Sequence, residues 1–215
     1  MGKAKFAVGV VIAVWAAVIF IMGAAGTFDT PDLALPIPLM IGVAAPIVTF
    51  LVLYRSIVGF RNWVLAADLR LATGIQAWRF GGLGFFALYA HDVLPGLFVW
   101  PAGLGDMAIG ATAPWLVLAL VRRPEFAATR GFVAWNLLGL LDFVVALTTG
   151  ILASGTSIGI GGEITTDPMG RLPLVLIPCY LVPLFTMLHL TAIFQARQLA
   201  RGRSSALLLE NAARA

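Results

Sequence analysis

The chain is poor in charge. Only 11% of its 215 residues are Asp, Glu, Lys or Arg, whereas 60% are hydrophobic. Soluble domains carry roughly a quarter charged residues, so this composition excludes a water-facing globule and is that of an integral membrane protein. Cysteine is almost absent. The single Cys179 rules out an internal disulfide and leaves no second thiol at metal-ligand spacing, so it reads as a small buried hydrophobe. Lysine stops at Lys5, so no apolar stretch holds an amine for a retinal Schiff base. His-Glu-x-x-His, Gly-x-Ser-x-Gly and a phosphate-binding Gly-Lys-Ser/Thr are also missing, and with them the zinc hydrolase, serine hydrolase and nucleotide hydrolase chemistries they serve.

What is present is apolar sequence in lengths of about 20 residues, enough to cross hydrocarbon at ~1.5 Å rise per residue. Six segments stand out, at roughly 6–26, 36–55, 73–95, 102–121, 131–152 and 172–195. The expected fold is therefore all-α, a polytopic bundle of six transmembrane helices over residues 1–195, with a basic tail over 196–215. Segment 1 is longer than the ~7–15 residue apolar core of a secretory signal, so it is read as a retained helix.

The connections sort by charge. Lys3 and Lys5, then Arg55, Arg61 and Arg70, then Arg122, Arg123 and Arg130, then Arg197, Arg201, Arg203 and Arg214 all fall on one side. The other side carries Asp29, Asp32, Glu163 and Asp167 with Arg171 as its one cation. The positive-inside rule puts both termini in the cytoplasm. The net charge of +4 is thus a matter of membrane sidedness, and no nucleic-acid partner is expected. Anionic lipid headgroups should meet the basic inner rim. A small-molecule ligand, a second copy of the chain or another membrane protein remain open as partners.

Local signals fill in the outline. Trp63, Trp78 and Trp135 near the inner ends and Trp100 at the outer end fit interfacial anchoring. The stretch RSIVGFRNWVLAADLR (55–70) is basic and amphipathic and suits the inner interface. Asp68 or Thr73 could cap the third helix. The tail reads as a solvated end. GTFDTPDLALPIPL…PIVTFLVL (26–53) echoes GTSIGIGGEITTDPMGRLPL…PLFTMLHL (155–190), as if segments 1–2 and 5–6 were related hairpins, an arrangement transporters use around a central site. Pro46, Pro178 and Pro183 free carbonyls inside helices.

Ionisable residues inside spans are rare and mark function or helix pairing. Counting residues sorts them into two groups. Arg79 lies ~9 Å, Asp142 ~16 Å and His189 ~9 Å from the inner ends of their helices, and these three form an expected inner cluster with Gln76 and Asn136. His91, Asp92 and Asp106 fall near the outer ends of the third and fourth helices and form an expected outer cluster. Small residues accompany the acids at helical spacing: Ala102 and Gly110 beside Asp106, and Gly139, Ala146 and Thr149 beside Asp142. Arg79 and Asp142 could be a structural ion pair fixing helix register, or a protonatable or ligand-binding centre. No metal site is expected, and the sequence identifies no cofactor. His91 and His189 differ by ~20 Å in depth, so they cannot be the two axial ligands of one haem, although a haem held by one histidine stays open.

Gly103-Leu104-Gly105-Asp106 resembles the Gly-x-Gly-Asp motif of intramembrane aspartyl proteases, and LDFVVAL around Asp142 resembles their other catalytic helix. That resemblance implies Asp106 and Asp142 as a carboxylate pair activating water. The chain departs from the family in motif order, in lacking Pro-Ala-Leu, and in a depth difference of ~8 Å between the two acids. Over a longer stretch, LVLYRSIVGFRNWVLAADLRLATGIQAWRFGG and VLPGLFVWPAGLGD resemble uncharacterised bacterial inner-membrane proteins with six helices. This implies a bacterial inner-membrane location and no activity. Three functions remain open: binding or translocating a small molecule or ion at the inner cluster, serving as a non-catalytic scaffold or partner subunit, or acting as an enzyme or redox protein.

Overall fold

The computed structural model describes residues 2–31 and 33–214, with the helical backbone alone for 2–5 and 203–214. Asp32 and the side chains of Lys3, Lys5, Arg203 and Arg214 lie outside the described residues. Every regular element among those described is a helix. Five are long and apolar enough to cross a membrane: Phe6–Ala24, Ile37–Ser56, Gly96–Arg122, Arg130–Leu152 and Ile177–Gly202. They belong to α1 (Gly2–Ala24), α2 (Ile37–Ser56), α6 (Gly96–Arg122), α7 (Arg130–Leu152) and α8 (Val182–Arg214), the last preceded by a π-type turn. The architecture is that of a membrane protein, with large apolar side chains on α1, α2, α6 and α7 left exposed.

The third expected span is not one α-helix. It consists of α4 (Leu69–Ile75), a 3₁₀ turn over Gln76–Gly82, and α5 (Leu83–Ala90). Gly74, Gly81, Gly82 and Gly84 lower α-helix propensity through this stretch. A 3₁₀ turn repeats every three residues, so side chains at i and i+3 line up. The burial follows that period, since Thr73, Gln76, Arg79, Gly82 and Phe85 are all buried. A polar file thus faces the bundle, which an α-helical reading of 73–95 does not produce. The segment ends earlier than expected, with Asp92 in the left-handed region at φ 56°.

The fourth span starts six residues before its expected boundary. Pro95 is extended at its N-cap, and α6 then runs through Pro101 and Pro114. α3 (Val58–Leu65) is the short helix within the basic 55–70 stretch. Asp68 caps α4, its side chain accepting from the Arg70 and Leu71 amides at 2.9 and 3.4 Å. Thr129 caps α7 through the Phe132 amide at 3.2 Å. Before α8, the π-type turn Ile177–Leu181 contains Pro178, and Pro183 follows it. α8 then continues without a break past the expected tail boundary at 195.

α6 is the central element, packed on α4, the 3₁₀ turn, α5 and α7, while α8 closes against α7 and α2. At one end, Gln195 donates to the Val64 and Ala67 carbonyls, both at 2.9 Å, tying α8 to the basic 55–70 connection. At the other end the two acidic connections meet. Leu33 donates to the Gly155 carbonyl at 3.0 Å, Ser157 to that of Ala34 at 3.1 Å, and Arg171 to Asp29 at 3.1 Å.

The tryptophans divide. Trp63, Trp78 and Trp100 are exposed, as anchors would be, but Trp135 is not. Its indole N–H donates to Thr112 Oγ1 at 2.8 Å and its ring packs edge-on to His189. A buried indole with a hydrogen-bond partner is an interior group, so the anchoring expectation fails at Trp135.

Close backbone approach depends on Gly110. A Cβ there would run into the Phe80 amide nitrogen, and would lie 2.8 Å from Phe80 Cα and 2.9 Å from the Arg79 carbonyl carbon. Gly84, in contrast, has nothing within 4 Å of such an atom. Gly110→Ala should therefore destabilise the protein by about 1–3 kcal/mol through overpacking against backbone. Gly84→Ala should be neutral or mildly stabilising by helix propensity. Thermal melts of the two variants in one detergent check this.

Candidate functional site

Arg79 is the hub of the interior. The 3₁₀ turn sets it in the buried row, with 2% of its surface exposed, and three helices supply its partners. From α6, Asp106 Oδ1 accepts from Nε at 2.7 Å. From α7, Asp142 Oδ2 accepts from Nη2, and the Gly139 carbonyl accepts from Nη1 at 3.2 Å. From α8, His189 Nε2 meets Nη1 at 3.0 Å. The guanidinium also lies over the Phe143 ring, 3.9 Å from its centroid. A planar fork with five donors suits this many directions, and a lysine could not replace it.

The hydrogen bonds fix the state of the histidine. Arginine has no acceptor, so His189 Nε2 must offer its lone pair to Nη1. Asn136 Nδ2 donates to the Phe132 carbonyl at 2.9 Å, which leaves its Oδ1 to accept from His189 Nδ1–H at 2.9 Å. This network assigns a neutral imidazole protonated on Nδ1. The cluster then holds two carboxylates and one guanidinium. It carries one carboxylate more than its cations, and it becomes neutral only when it takes up one positive charge.

Three glycines make the meeting possible. A Cβ on Gly105 would strike the Asp142 carboxylate, and one on Gly139 would strike the His189 ring. One on Gly82 would lie 2.6 Å from Asp106 Cβ. The space each glycine leaves is thus filled by a polar side chain from a facing element.

The structure brings together Arg79, Asp142, His189 and Asn136, as expected for the inner cluster. Gln76 lies one turn below Arg79 and donates to the Phe185 carbonyl at 3.2 Å. The outer grouping is corrected. Asp106 is separated from His91 and Asp92 and pairs with Arg79. Because α6 begins at Gly96, Asp106 lies ~15 Å along the helix rather than near its mouth. His91 and Asp92 are exposed, and His91 Nδ1 bonds to the Ala87 carbonyl at 2.8 Å, four residues back in the chain. Sequence reasoning missed Phe143, Trp135 and the Gly139 carbonyl as members of the site. Ala102 and Gly110 beside Asp106 were the visible sign that this helix face needed room, and at Gly110 the backbone of Arg79 and Phe80 fills it.

A cleft of about 420 Å³ reaches the cluster. Trp78, Gly84, Leu88, Leu174 and Phe185 form much of its wall, and Arg79 and Asp106 are its charged residues. A second cavity of about 250 Å³ lies among α2, α6, α7 and the acidic connections, with Asp167 on its lining and none of the cluster residues. Among the described residues, no group of three or more His, Cys, Asp or Glu could hold a metal ion.

Removing the hub should be costly. Arg79→Met leaves two carboxylates facing each other without their cation, and a loss of about 3–5 kcal/mol is expected, as for breaking a buried ion pair. Asn136→Leu removes only the histidine's acceptor and should cost about 1–3 kcal/mol. Chemical denaturation of both variants in matched micelles measures the difference.

No curated protein and no solved structure matches this chain. One family model does, over residues 36–197, from the start of α2 into α8, so the match takes in every residue of the Arg79 cluster. The chain belongs to the family described as a domain of unknown function, DUF8737.

Proposed function

We propose that this protein is a bacterial inner-membrane protein of six crossings with both termini cytoplasmic, which binds or translocates a small molecule or ion at the Arg79–Asp106–Asp142 cluster. The observation that carries this reading is the cleft. It is apolar along its walls and leads to Arg79 and Asp106, the pattern of a pocket in which a few polar groups orient a ligand. An ion pair serving only to lock helices has no need of access.

The sixth crossing is the broken one. Taking α4 and α5 at ~1.5 Å and the 3₁₀ turn at ~2.0 Å per residue, residues 69–90 extend about 36 Å, enough for a hydrocarbon core of ~30 Å. Discontinuous helices are where membrane proteins build binding sites, because irregular backbone there is sheltered by protein. The distribution of Arg residues over the connections supports the orientation.

A second reading, a scaffold or partner subunit, is favoured by one fact. Four of the five Arg79 donors are already engaged within the protein. The aspartyl protease reading has weaker support, since one guanidinium already binds both of the carboxylates that would have to share a water.

Native mass spectrometry of the gently extracted protein tests the ligand reading. A stoichiometric adduct is expected on the wild type. It should be lost from Gly84→Phe, which fills the cleft wall without touching the cluster, while the melting temperature is kept. A bare wild-type mass, or an adduct indifferent to Gly84→Phe, supports the scaffold. Orientation is read by cysteine labelling in intact cells, with Cys179 replaced. A membrane-impermeant maleimide should label Ser157→Cys and leave Arg123→Cys unlabelled; the reverse pattern would overturn the topology.

A further inference from the structure

The cluster is one positive charge short, and the row of residues beneath it holds two oxygens with nothing to bond. Thr73 Oγ1 and Gln76 Oε1 are buried and find no hydrogen-bond partner among the described residues. Thr73 is 2% and Gln76 1% exposed. Buried polar atoms in native proteins are satisfied in the great majority, by protein or by ordered water. Thr73, Gln76 and Arg79 follow one another at three-residue spacing on the same buried row, leading from the basic end of α4 toward the carboxylates.

We propose that a water held between Thr73 and Gln76 links the basic end of the protein to the cluster, and that through it Asp106 and Asp142 together take up and release one proton. This names the ion of the binding reading above and rests on the same cluster. The step is simple in its balance: a proton from the aqueous phase at the basic end adds to one carboxylate oxygen and converts a site of net charge −1 to a neutral one. The charged and titratable groups facing the site are Arg79 from the 3₁₀ turn, Asp106 from α6, Asp142 from α7 and His189 from α8. No other element brings a charged side chain to it among the described residues. The guanidinium keeps its charge, and His189 uses both ring nitrogens in its two hydrogen bonds, so the proton belongs to the carboxylates. Water would complete the path by donating to Gln76 Oε1 and bonding the Thr73 hydroxyl.

Infrared spectroscopy of the full-length protein in detergent, before and after transfer to heavy water, reads the proton directly. The wild type should show a protonated-carboxyl C=O band. Asp106→Asn and Asp142→Asn should each abolish it, because either variant leaves one carboxylate opposite one guanidinium with no proton required. Thr73→Val should keep the band but slow its deuterium shift several-fold, and should lower the melting temperature by losing a bridged water. A wild type without the band overturns the proposal, and stabilisation by sodium or potassium would then identify a metal cation as the neutralising charge. A Thr73→Val protein with unchanged exchange and a raised melting temperature would show an orphaned hydroxyl with no water, and would overturn the path. Should the aspartate variants fail to fold, the wild-type band and the Thr73→Val exchange rate still decide. The adduct measured by mass spectrometry is independent. An adduct without the band removes this proposal alone, and a band without an adduct removes only the organic ligand.

Discussion

The interior depends on how one arginine is surrounded. An unpaired guanidinium buried in a bundle this apolar would be prohibitive, so the elements around it are arranged to supply acceptors. Asp106, Asp142, the Gly139 carbonyl and His189 come from three helices, and Arg79 itself from a fourth element. The 3₁₀ geometry of residues 76–82 sets Arg79 in line with Thr73, Gln76 and Gly82, on the buried side of its segment. Glycines at 82, 105, 110 and 139 then let the backbones close around it.

The same arrangement explains why the site is not electrically balanced. One guanidinium can satisfy two carboxylates geometrically, because its donors point in different directions, but it cannot neutralise both. The histidine does not help, since its bonds to Arg79 and Asn136 fix it as a neutral group. Surplus negative charge in a low-dielectric interior is expensive to hold and is seldom kept without use. The cleft reaches Arg79 and Asp106, and Thr73 and Gln76 precede Arg79 on its buried row.

Much of this was legible in the sequence. Composition gave the membrane class, and apolar length gave five helices, with the limits of α2 and α7 within a residue of those observed. Depth counting assembled Arg79, Asp142, His189 and Asn136. What was hidden has specific physical causes. The fourth segment was bounded at 102, but α6 begins at Gly96 and runs through Pro101, so Asp106 was assigned to the wrong end and to the wrong partners, His91 and Asp92. The glycines of RFGGLG carried no sign that their segment would tighten to a three-residue period. Trp135 resembled its interfacial counterparts because burial depends on the neighbouring Thr112 and His189, which are distant in sequence. These failures concern how far a helix extends and how tightly it winds. Tertiary packing decides both.

Asp106 belongs to Arg79 and not to His91. A pair of double-mutant cycles measured by chemical denaturation tests it most directly. One combines Arg79→Met with Asp106→Asn, and the other His91→Ala with Asp106→Asn. A coupling of about 0.5–3 kcal/mol is expected in the first cycle, with additivity within about 0.5 kcal/mol in the second. Additivity in the first cycle, with coupling in the second, would contradict it.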